Sequence, residues 1–218
     1  MRLIIGNKNY SSWSLRAWLL LDAFNLNYDE EVVSLAKPNL SRRLRVYSAS
    51  ARVPVLRDGD LAIWDSLAIC EYINDAYLDG KAWPDDPKTR ALARAVSAEM
   101  HSGFQALRNE MPMNCRARRY VELSDAAKTD VARVDQIWSE YAQVDSQGDM
   151  RLFGQFSVAD CFFAPVVMRF TTYDPEVSLL ARSYLRSMKE HPSLQRWVAD
   201  ALKEDEIVEV DEAGIERG

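Results

Sequence analysis

The hydrophobic pattern of the first eighty residues changes period several times along the chain. The short apolar run Leu3–Ile5 predicts a strand. From Ser14 to Asn25 the apolar positions recur at helical spacing, which predicts a helix. Tyr28–Leu35 contains two adjacent valines and predicts a second strand, whereas Pro38–Tyr47 is polar and basic and predicts a helix or a pair of turns.

A hairpin and a third helix complete this part of the chain. Val53–Leu56 and Leu61–Trp64 are apolar runs on either side of a turn with Gly59 at its tip. Ser66–Tyr77 then returns to the helical period. The predicted order is βαβαββα, which indicates a mixed sheet with helices on its faces, because a parallel pair needs a crossover helix and a hairpin does not.

Beyond residue 80 the pattern is helical throughout, and no strand pair is expected. Segment 80–87 is rich in turn formers and holds two prolines, so it is predicted to be a linker between residues 1–79 and an all-helical domain at residues 88–204. An acidic tail, 205–218, follows. Helices are predicted over Lys88–Glu110, Ser124–Val144, Ser157–Phe170, Glu176–Lys189 and Ser193–Leu202.

Composition and charge narrow the class of protein. Of 218 residues, 48% are hydrophobic and 28% charged, as in ordinary globular proteins. The net charge of −6 disfavours nucleic acid as a partner, and we expect the tail, with six acids against Arg217, to be solvated. The cations Lys8, Arg16 and Arg42 are expected at the surface or in helix salt bridges. No membrane-spanning run or signal-peptide pattern is visible, which predicts a cytoplasmic protein.

The cysteines and histidines argue against metal or disulfide chemistry. The three cysteines, Cys70, Cys115 and Cys161, are widely spaced and form no Cys-x-x-Cys. The two histidines, His101 and His191, are far apart in sequence. No metal site is therefore predicted.

Four short motifs occur in a fixed order along the chain, and three of them begin predicted secondary-structure elements in the first eighty residues. Asn9–Arg16 contains Ser-Ser-Trp-Ser and opens the first helix, Val53–Leu56 begins the hairpin, Asp65–Ile69 begins the third helix, and Ser157–Asp160 lies in the helical half. Together they resemble the glutathione transferase superfamily, particularly its serine-type classes zeta and theta. The resemblance covers nearly the whole chain except the tail. It implies a thioredoxin-like first domain, glutathione as co-substrate without a metal, and a homodimer.

The serine cluster carries the chemistry that the resemblance implies. A helix N-terminus favours an anion, and a hydroxyl beside it can donate a hydrogen bond that stabilises a thiolate. Alignment on zeta-like sequences selects Ser11 as this catalytic hydroxyl, and alignment on theta-like sequences selects Ser12. Ser11 is preferred. The alternative is that these serines only cap the helix. Trp13 stands where the zeta class has a cysteine, which argues against maleylacetoacetate isomerase activity.

The other motifs are assigned to glutathione itself. Val53-Pro54 resembles the cis-proline position of the family, although an ordinary trans proline opening a strand is the alternative. Asp65 and Ser66 resemble the pair that binds the γ-glutamyl group; otherwise they are simply a helix cap. Arg52 lies where relatives hold the glycyl end. The resemblance thus assigns glutathione binding to Trp13, Arg52, Val53, Pro54, Asp65 and Ser66.

A second substrate is expected between the domains. Its candidate pocket residues are Tyr10, His101, Gln105 and Arg108. Ser157-x-x-Asp160 satisfies the spacing of a capping box and is assigned to folding.

Three functions remain open from the sequence. The preferred one is conjugation of a hydrophobic electrophile with glutathione. The alternatives are a non-catalytic module that binds glutathione or a protein, and a zeta-like isomerase.

Overall fold

A computed structural model describes residues 1–216 of the protein. Its N-terminal part contains a four-stranded mixed sheet. The sheet order is β2-β1-β3-β4, with β1 parallel to β2 and the other two pairs antiparallel. The predicted βαβαββα order is confirmed. The elements are β1 (Arg2–Gly6), α1 (Ser12–Ala23), β2 (Asp29–Val33), α2 (Leu40–Leu44), β3 (Val55–Asp58), β4 (Leu61–Trp64) and α3 (Ser66–Tyr77).

The second half is a helical domain, as predicted, with one break that the sequence did not indicate. The single helix expected over Lys88–Glu110 is two helices, because Phe104 adopts a left-handed φ of 60° and interrupts the hydrogen-bond ladder. The helices are α4 (Pro87–Ser102), α5 (Gln105–Glu110), α6 (Asp125–Tyr141), α7 (Val158–Tyr173), α8 (Leu179–Glu190) and α9 (Pro192–Ala201).

Two short strand pairs in this half correct the expectation that it would contain none. β5 (Arg119–Tyr120) pairs with β8 (Ile215–Glu216), and β6 (Ala142–Val144) pairs with β7 (Met150–Leu152). Strands of two or three residues are too short to produce an alternating pattern in the sequence.

Helices α1 and α7 join the two halves. Both are apolar on nearly all sides and almost wholly buried, as expected for helices surrounded by protein. They pack against each other, and α1 also packs against α3 and α9. The N-terminus of α1 therefore lies where the sheet domain meets the helical domain.

The predicted capping box of α7 is present. Ser157 Oγ accepts from the Ala159 N–H at 3.2 Å, and Asp160 Oδ2 accepts from the Ser157 N–H at 2.9 Å. Asp160 Oδ1 also accepts from the Leu152 N–H at 2.9 Å. Burial raises the pKa of Asp160 to about 6. The carboxyl thus ties the first turn of α7 to the preceding hairpin.

The acidic tail is only partly solvated, which corrects the expectation, because two of its carboxylates are bound by the body of the protein. Glu206 accepts from Asn7 Nδ2 at 2.8 Å, and Glu212 Oε1 accepts from Tyr10 OH at 2.5 Å and from Asn114 Nδ2 at 2.9 Å. The tail carboxylates find donors because the tail folds back across the two domains. Residues 217 and 218 lie outside the described residues.

Two of the cations expected at the surface are buried. The Lys8 ammonium group lies 2.9 Å from both Glu30 and Asp200, with only 5% of its side chain exposed. Arg16 is completely buried in the domain interface. Lys8 directly follows β1, and Arg16 lies in α1, the helix that packs against α3, α7 and α9.

Neither a membrane span nor a metal cluster occurs within residues 1–216. No helix in this part is long and apolar enough to cross a bilayer. No group of three or more metal-binding side chains is gathered there either.

Candidate functional site

A cavity of about 430 Å³ opens beside the N-termini of α1 and α3. The two helices and the start of the hairpin form its walls, so it lies at the helix ends that favour anions. All six residues predicted to bind glutathione line it. Its full lining is Trp13, Ser50, Arg52, Val53, Pro54, Trp64, Asp65 and Ser66.

Asp65 and Ser66 form the end of this cavity that can receive a charged group. Asp65 is the N-cap of α3, and its Oδ1 accepts from the Leu67 N–H at 2.8 Å and the Ala68 N–H at 3.4 Å. The backbone of Asp65 has a φ of 78°, which non-glycine residues rarely adopt. Ser66 is buried, and its Oγ has no partner among the described residues. A ligand that supplies an acceptor for this buried hydroxyl is bound more tightly, because the unsatisfied donor then forms a hydrogen bond.

The hairpin start supplies the second wall. The Val53–Pro54 peptide bond is cis, which settles the alternative between a cis and a trans proline. Pro54 is buried while Arg52 is exposed at the cavity mouth. The exposed Arg52 thus adds a positive charge to a cavity whose lining also carries the negative charge of Asp65.

The two candidate serines have different hydrogen-bond roles. Ser11 Oγ donates to Ser14 Oγ at 2.6 Å, and Ser14 Oγ also accepts from the Gly6 N–H at 3.1 Å. Ser12 Oγ instead accepts from Arg169 Nη2 at 3.2 Å. The hydroxyl proton of Ser11 is therefore used inside the fold, whereas residues 1–216 provide no acceptor for the proton of Ser12; neither serine is among the residues that line the cavity.

Two arginine side chains, Arg16 and Arg108, lie over the indole ring of Trp13. The Arg16 guanidinium lies 4.3 Å from the centroid of the Trp13 ring and 4.6 Å from that of Phe162, and Arg108 lies 4.9 Å from Trp13. None of the three nitrogen atoms of the Arg16 guanidinium has a hydrogen-bond partner within residues 1–216. Burial, followed by the charges of Arg108 and Arg169, holds the pKa of Arg16 well below its usual range.

His101 connects this cluster to Asp65. Its ring stands edge-on to Trp13 with centroids 5.3 Å apart, and its Nε2 lies 3.1 Å from Asp65 Oδ2. Burial lowers the pKa of His101, and the charges of Arg16 and Arg108 lower it further, while Asp65 raises it. His101 and Arg108, both predicted for the second-substrate pocket, are thus brought together at Trp13.

The other two residues predicted for that pocket lie elsewhere. Tyr10 is buried, and its hydroxyl donates to Glu212 and accepts from Arg116 Nη2 at 2.9 Å. Gln105 is exposed at the start of α5. Tyr10 therefore belongs to the contact between the tail and the body of the protein.

Sequence reasoning missed three residues of the site. Ser50 and Trp64 line the cavity, and Arg169 reaches Ser12 from α7. Trp64 directly precedes the Asp65-Ser66 pair, so its position in the chain was a usable signal. For Arg169 the signal was one cation within the apolar run of α7, since arginine is rarely buried without a partner.

A second hollow, of about 500 Å³, lies at the sheet and contains none of the predicted site residues. It is lined by Met1, Arg2, Ile4, Asp29, Val46, Tyr47, Arg57 and Gly59.

Comparison with protein families decides the identity of the fold. Residues 10–76 match the family model described as glutathione S-transferase, N-terminal domain, and residues 116–200 match glutathione S-transferase, C-terminal domain. The two matches together cover more than half of the chain and include the cavity residues. The chain belongs to the glutathione S-transferase superfamily.

Individual relatives agree with this membership. A probable maleylacetoacetate isomerase of Caenorhabditis elegans is 36% identical over 98 residues, which is 45% of this chain and 45% of that protein. Glutathione S-transferase Z2 of Arabidopsis thaliana is 28% identical over 208 residues, 88% of this chain and 91% of that protein. The matches to the first three relatives span only 45% to 46% of their lengths.

A solved structure shows the same fold over nearly the whole chain. A glutathione transferase homolog from Burkholderia GL BGR1, with bound glutathione, superimposes with a TM-score of 0.71 at 23% identity. The match covers 93% of this chain and 98% of the Burkholderia chain.

Proposed function

We propose that this superfamily member is a glutathione transferase that binds glutathione in the 430 Å³ cavity and uses its thiolate to attack an electrophile held between the domains. One observation carries the proposal: the cavity is lined by all six residues that the sequence assigns to glutathione. Superfamily membership and the bound glutathione of the Burkholderia homolog support it.

The cavity suggests an orientation for the tripeptide. The orphan Ser66 hydroxyl at the N-terminus of α3 suits the γ-glutamyl carboxylate, and Asp65 suits the γ-glutamyl ammonium group. The exposed Arg52, which also lines the cavity, suits the glycyl carboxylate. The cysteinyl thiol then lies towards the N-terminus of α1.

We assign thiol activation to Ser12. The thiolate, and not the thiol, is the nucleophile, so a donor that stabilises it raises the reactive fraction at neutral pH. The Ser12 hydroxyl accepts from the buried Arg169 and can donate its own proton to sulfur, whereas the Ser11 hydroxyl donates to Ser14. Sequence alignment preferred Ser11; the hydrogen-bond pattern supports Ser12.

A glutathione titration followed by tryptophan fluorescence and calorimetry tests binding, because Trp13 lines the cavity. A conjugation assay with a chlorinated dinitrobenzene then tests catalysis. We expect Ser12→Ala to lower kcat/KM by ~10²-fold, and Ser11→Ala, the matched control, to lower it less. Full activity in both variants would overturn the serine mechanism. Glutathione binding without turnover on any electrophile would instead support a non-catalytic module.

One observation favours the second candidate, an isomerase acting on a carboxylate-bearing substrate. Arg108 lies close enough for its charge to lower the pKa values of Arg16 and Arg169, the charge of Arg169 also lowers the pKa of Arg16, and such a cluster favours an anionic ligand. The Caenorhabditis elegans relative is named a probable maleylacetoacetate isomerase. Parallel assays with maleylacetoacetate and a neutral electrophile separate the two functions: faster turnover of the diacid supports isomerisation.

We also propose a cytoplasmic homodimer. Reduced glutathione, the proposed co-substrate, is maintained in the cytosol. The half-exposed apolar side chains Leu61, Trp64 and Leu92 offer surface for an isologous contact. Light scattering during size exclusion measures the mass directly, and a monomeric mass at micromolar concentration argues against the dimer.

A further inference from the structure

The contact between His101 and Asp65 crosses the two domains. His101 lies in the last turn of α4, and Asp65 caps α3. The two oxygen atoms of Asp65 have different partners: Oδ1 accepts from the first-turn N–H groups of α3, and Oδ2 lies 3.1 Å from His101 Nε2. One end of the carboxylate is thus fixed by its own domain and the other by the helical domain.

The surroundings hold the His101 ring in place. Trp13 contacts it edge-on, and the Phe162 ring centroid lies 5.8 Å away. Since Trp13 and Asp65 both line the cavity, the imidazole supports two of its walls from behind. The ring is three-quarters covered, with 24% of its side chain exposed.

Three charged groups act on His101: the cations Arg16 and Arg108 and the anion Asp65. Burial and the two cations lower the pKa of His101, so the imidazole is neutral at neutral pH. Because its partner is a carboxylate oxygen, the neutral ring carries its proton on Nε2 and donates it to Asp65. A neutral donor orients the carboxylate without cancelling its negative charge.

We propose that His101 is a positioning residue for glutathione, which orients Asp65 towards the γ-glutamyl ammonium group when neutral and competes with that group when protonated. This proposal rests on the glutathione-binding function proposed above. It adds a role that the sequence did not suggest for His101, which was assigned to the second-substrate pocket.

Two variants test the hydrogen bond. His101→Phe keeps an aromatic ring against Trp13 but removes the donor, and we expect the Kd for glutathione to rise about tenfold at neutral pH, as for loss of a hydrogen bond to a charged group. His101→Gln retains an N–H near the position of Nε2 and cannot be protonated. It is expected to restore most of the affinity.

A glutathione analogue that lacks the γ-glutamyl amine shows whether the effect passes through Asp65. The wild type should bind it more weakly than glutathione, and His101→Phe should cause no further loss. Equal losses for both ligands would indicate a merely structural role and overturn the proposal.

The pH dependence gives a test that does not need His101→Phe to fold. As pH falls below 6.5, the wild type should lose affinity for glutathione, and His101→Gln should lose less. Identical profiles for the two proteins would overturn the proposal. Wild-type protein that fails to bind glutathione at any pH rejects the proposed function itself, whereas tight wild-type binding with unchanged His101→Phe affinity rejects only the role of His101.

Discussion

Arg169 Nη2 donates to Ser12 Oγ at 3.2 Å, joining residues that are 157 positions apart in the chain. Arg169 Nη1 donates to the carbonyl oxygens of Arg108 and Met111. Burial, followed by the charge of Arg108, lowers the pKa of Arg169 to about 10. The guanidinium is therefore still charged at neutral pH, and it places a positive charge directly behind the proposed catalytic hydroxyl.

Replacing Arg169 should shift the ionisation of bound glutathione. In Arg169→Met the Ser12 hydroxyl loses its cationic donor, so the thiolate is less stabilised and the thiol pKa rises. We expect the pH profile of kcat/KM to move to higher pH, measured by conjugation rates and by thiolate absorbance of the bound tripeptide. Arg169→Lys keeps the charge and should shift the profile less. An unmoved profile in Arg169→Met would show that Arg169 serves packing alone.

Arg16→Met should not destabilise the protein. Replacing a buried charge by an apolar side chain of similar size is often neutral or stabilising by about 1–4 kcal/mol. The variant also loses the two cation–π contacts of Arg16, each of which stabilises the protein by about 0.5–2 kcal/mol. We expect an unchanged or higher free energy of unfolding in urea. The exposed Arg94, which also lies over an indole ring, provides the matched control in Arg94→Met. A large loss of stability confined to Arg16→Met would contradict the prediction.

Glu212 should account for most of the stability that the tail contributes. Its carboxylate accepts from Tyr10, Asn114 and Arg119, and it is only 19% exposed. Glu212→Ala should lower the free energy of unfolding by about 2–3 kcal/mol, because it leaves buried donors without an acceptor. The exposed Glu209 is the control, and Glu209→Ala should stay within about 0.5 kcal/mol of the wild type. An effect of Glu212→Ala as small as that of Glu209→Ala would contradict the prediction.

His191 should make stability depend on pH. Burial lowers its pKa to about 4, so the unfolded chain, with a pKa near 6.5, binds the proton more readily. Its contribution is complete above pH 6.5 and is lost as pH falls towards 4. His191 Nδ1 accepts from the Ser193 N–H at the start of α9, and asparagine preserves that cap.

The measurement is the difference in free energy of unfolding between His191→Asn and wild type across this range. Taking the difference removes the contributions of other groups that titrate in this range. Asp160 is one such group, and its raised pKa makes the protein more stable as the pH falls. We expect the variant to gain stability relative to wild type as the pH falls from 6.5 to 4. A constant difference would contradict the assignment.

Local sequence determined the elements and the contiguous parts of the site. The hairpin at Gly59, the helix cap at Asp65 and the capping box at Ser157 each depend on residues within a few positions of one another. For that reason the element order followed from the local hydrophobic pattern, and the resemblance of short motifs to a known family identified six of the residues that line the cavity. Two local features were not predicted: the break at Phe104, whose left-handed backbone phenylalanine does not favour, and the hairpin of β6 and β7, whose strands are too short to give a pattern.

Only the tertiary structure decided which distant groups became partners. Ser11 and Ser12 are adjacent and chemically identical, and while Ser11 donates to the nearby Ser14, Ser12 accepts from Arg169, which lies 157 positions away in the chain. The acidic tail is likewise bound at Glu212 because the fold brings Tyr10 and Arg119 to that residue. The free energy of a charge depends on its surroundings, and those surroundings are set by residues that the local sequence does not contain.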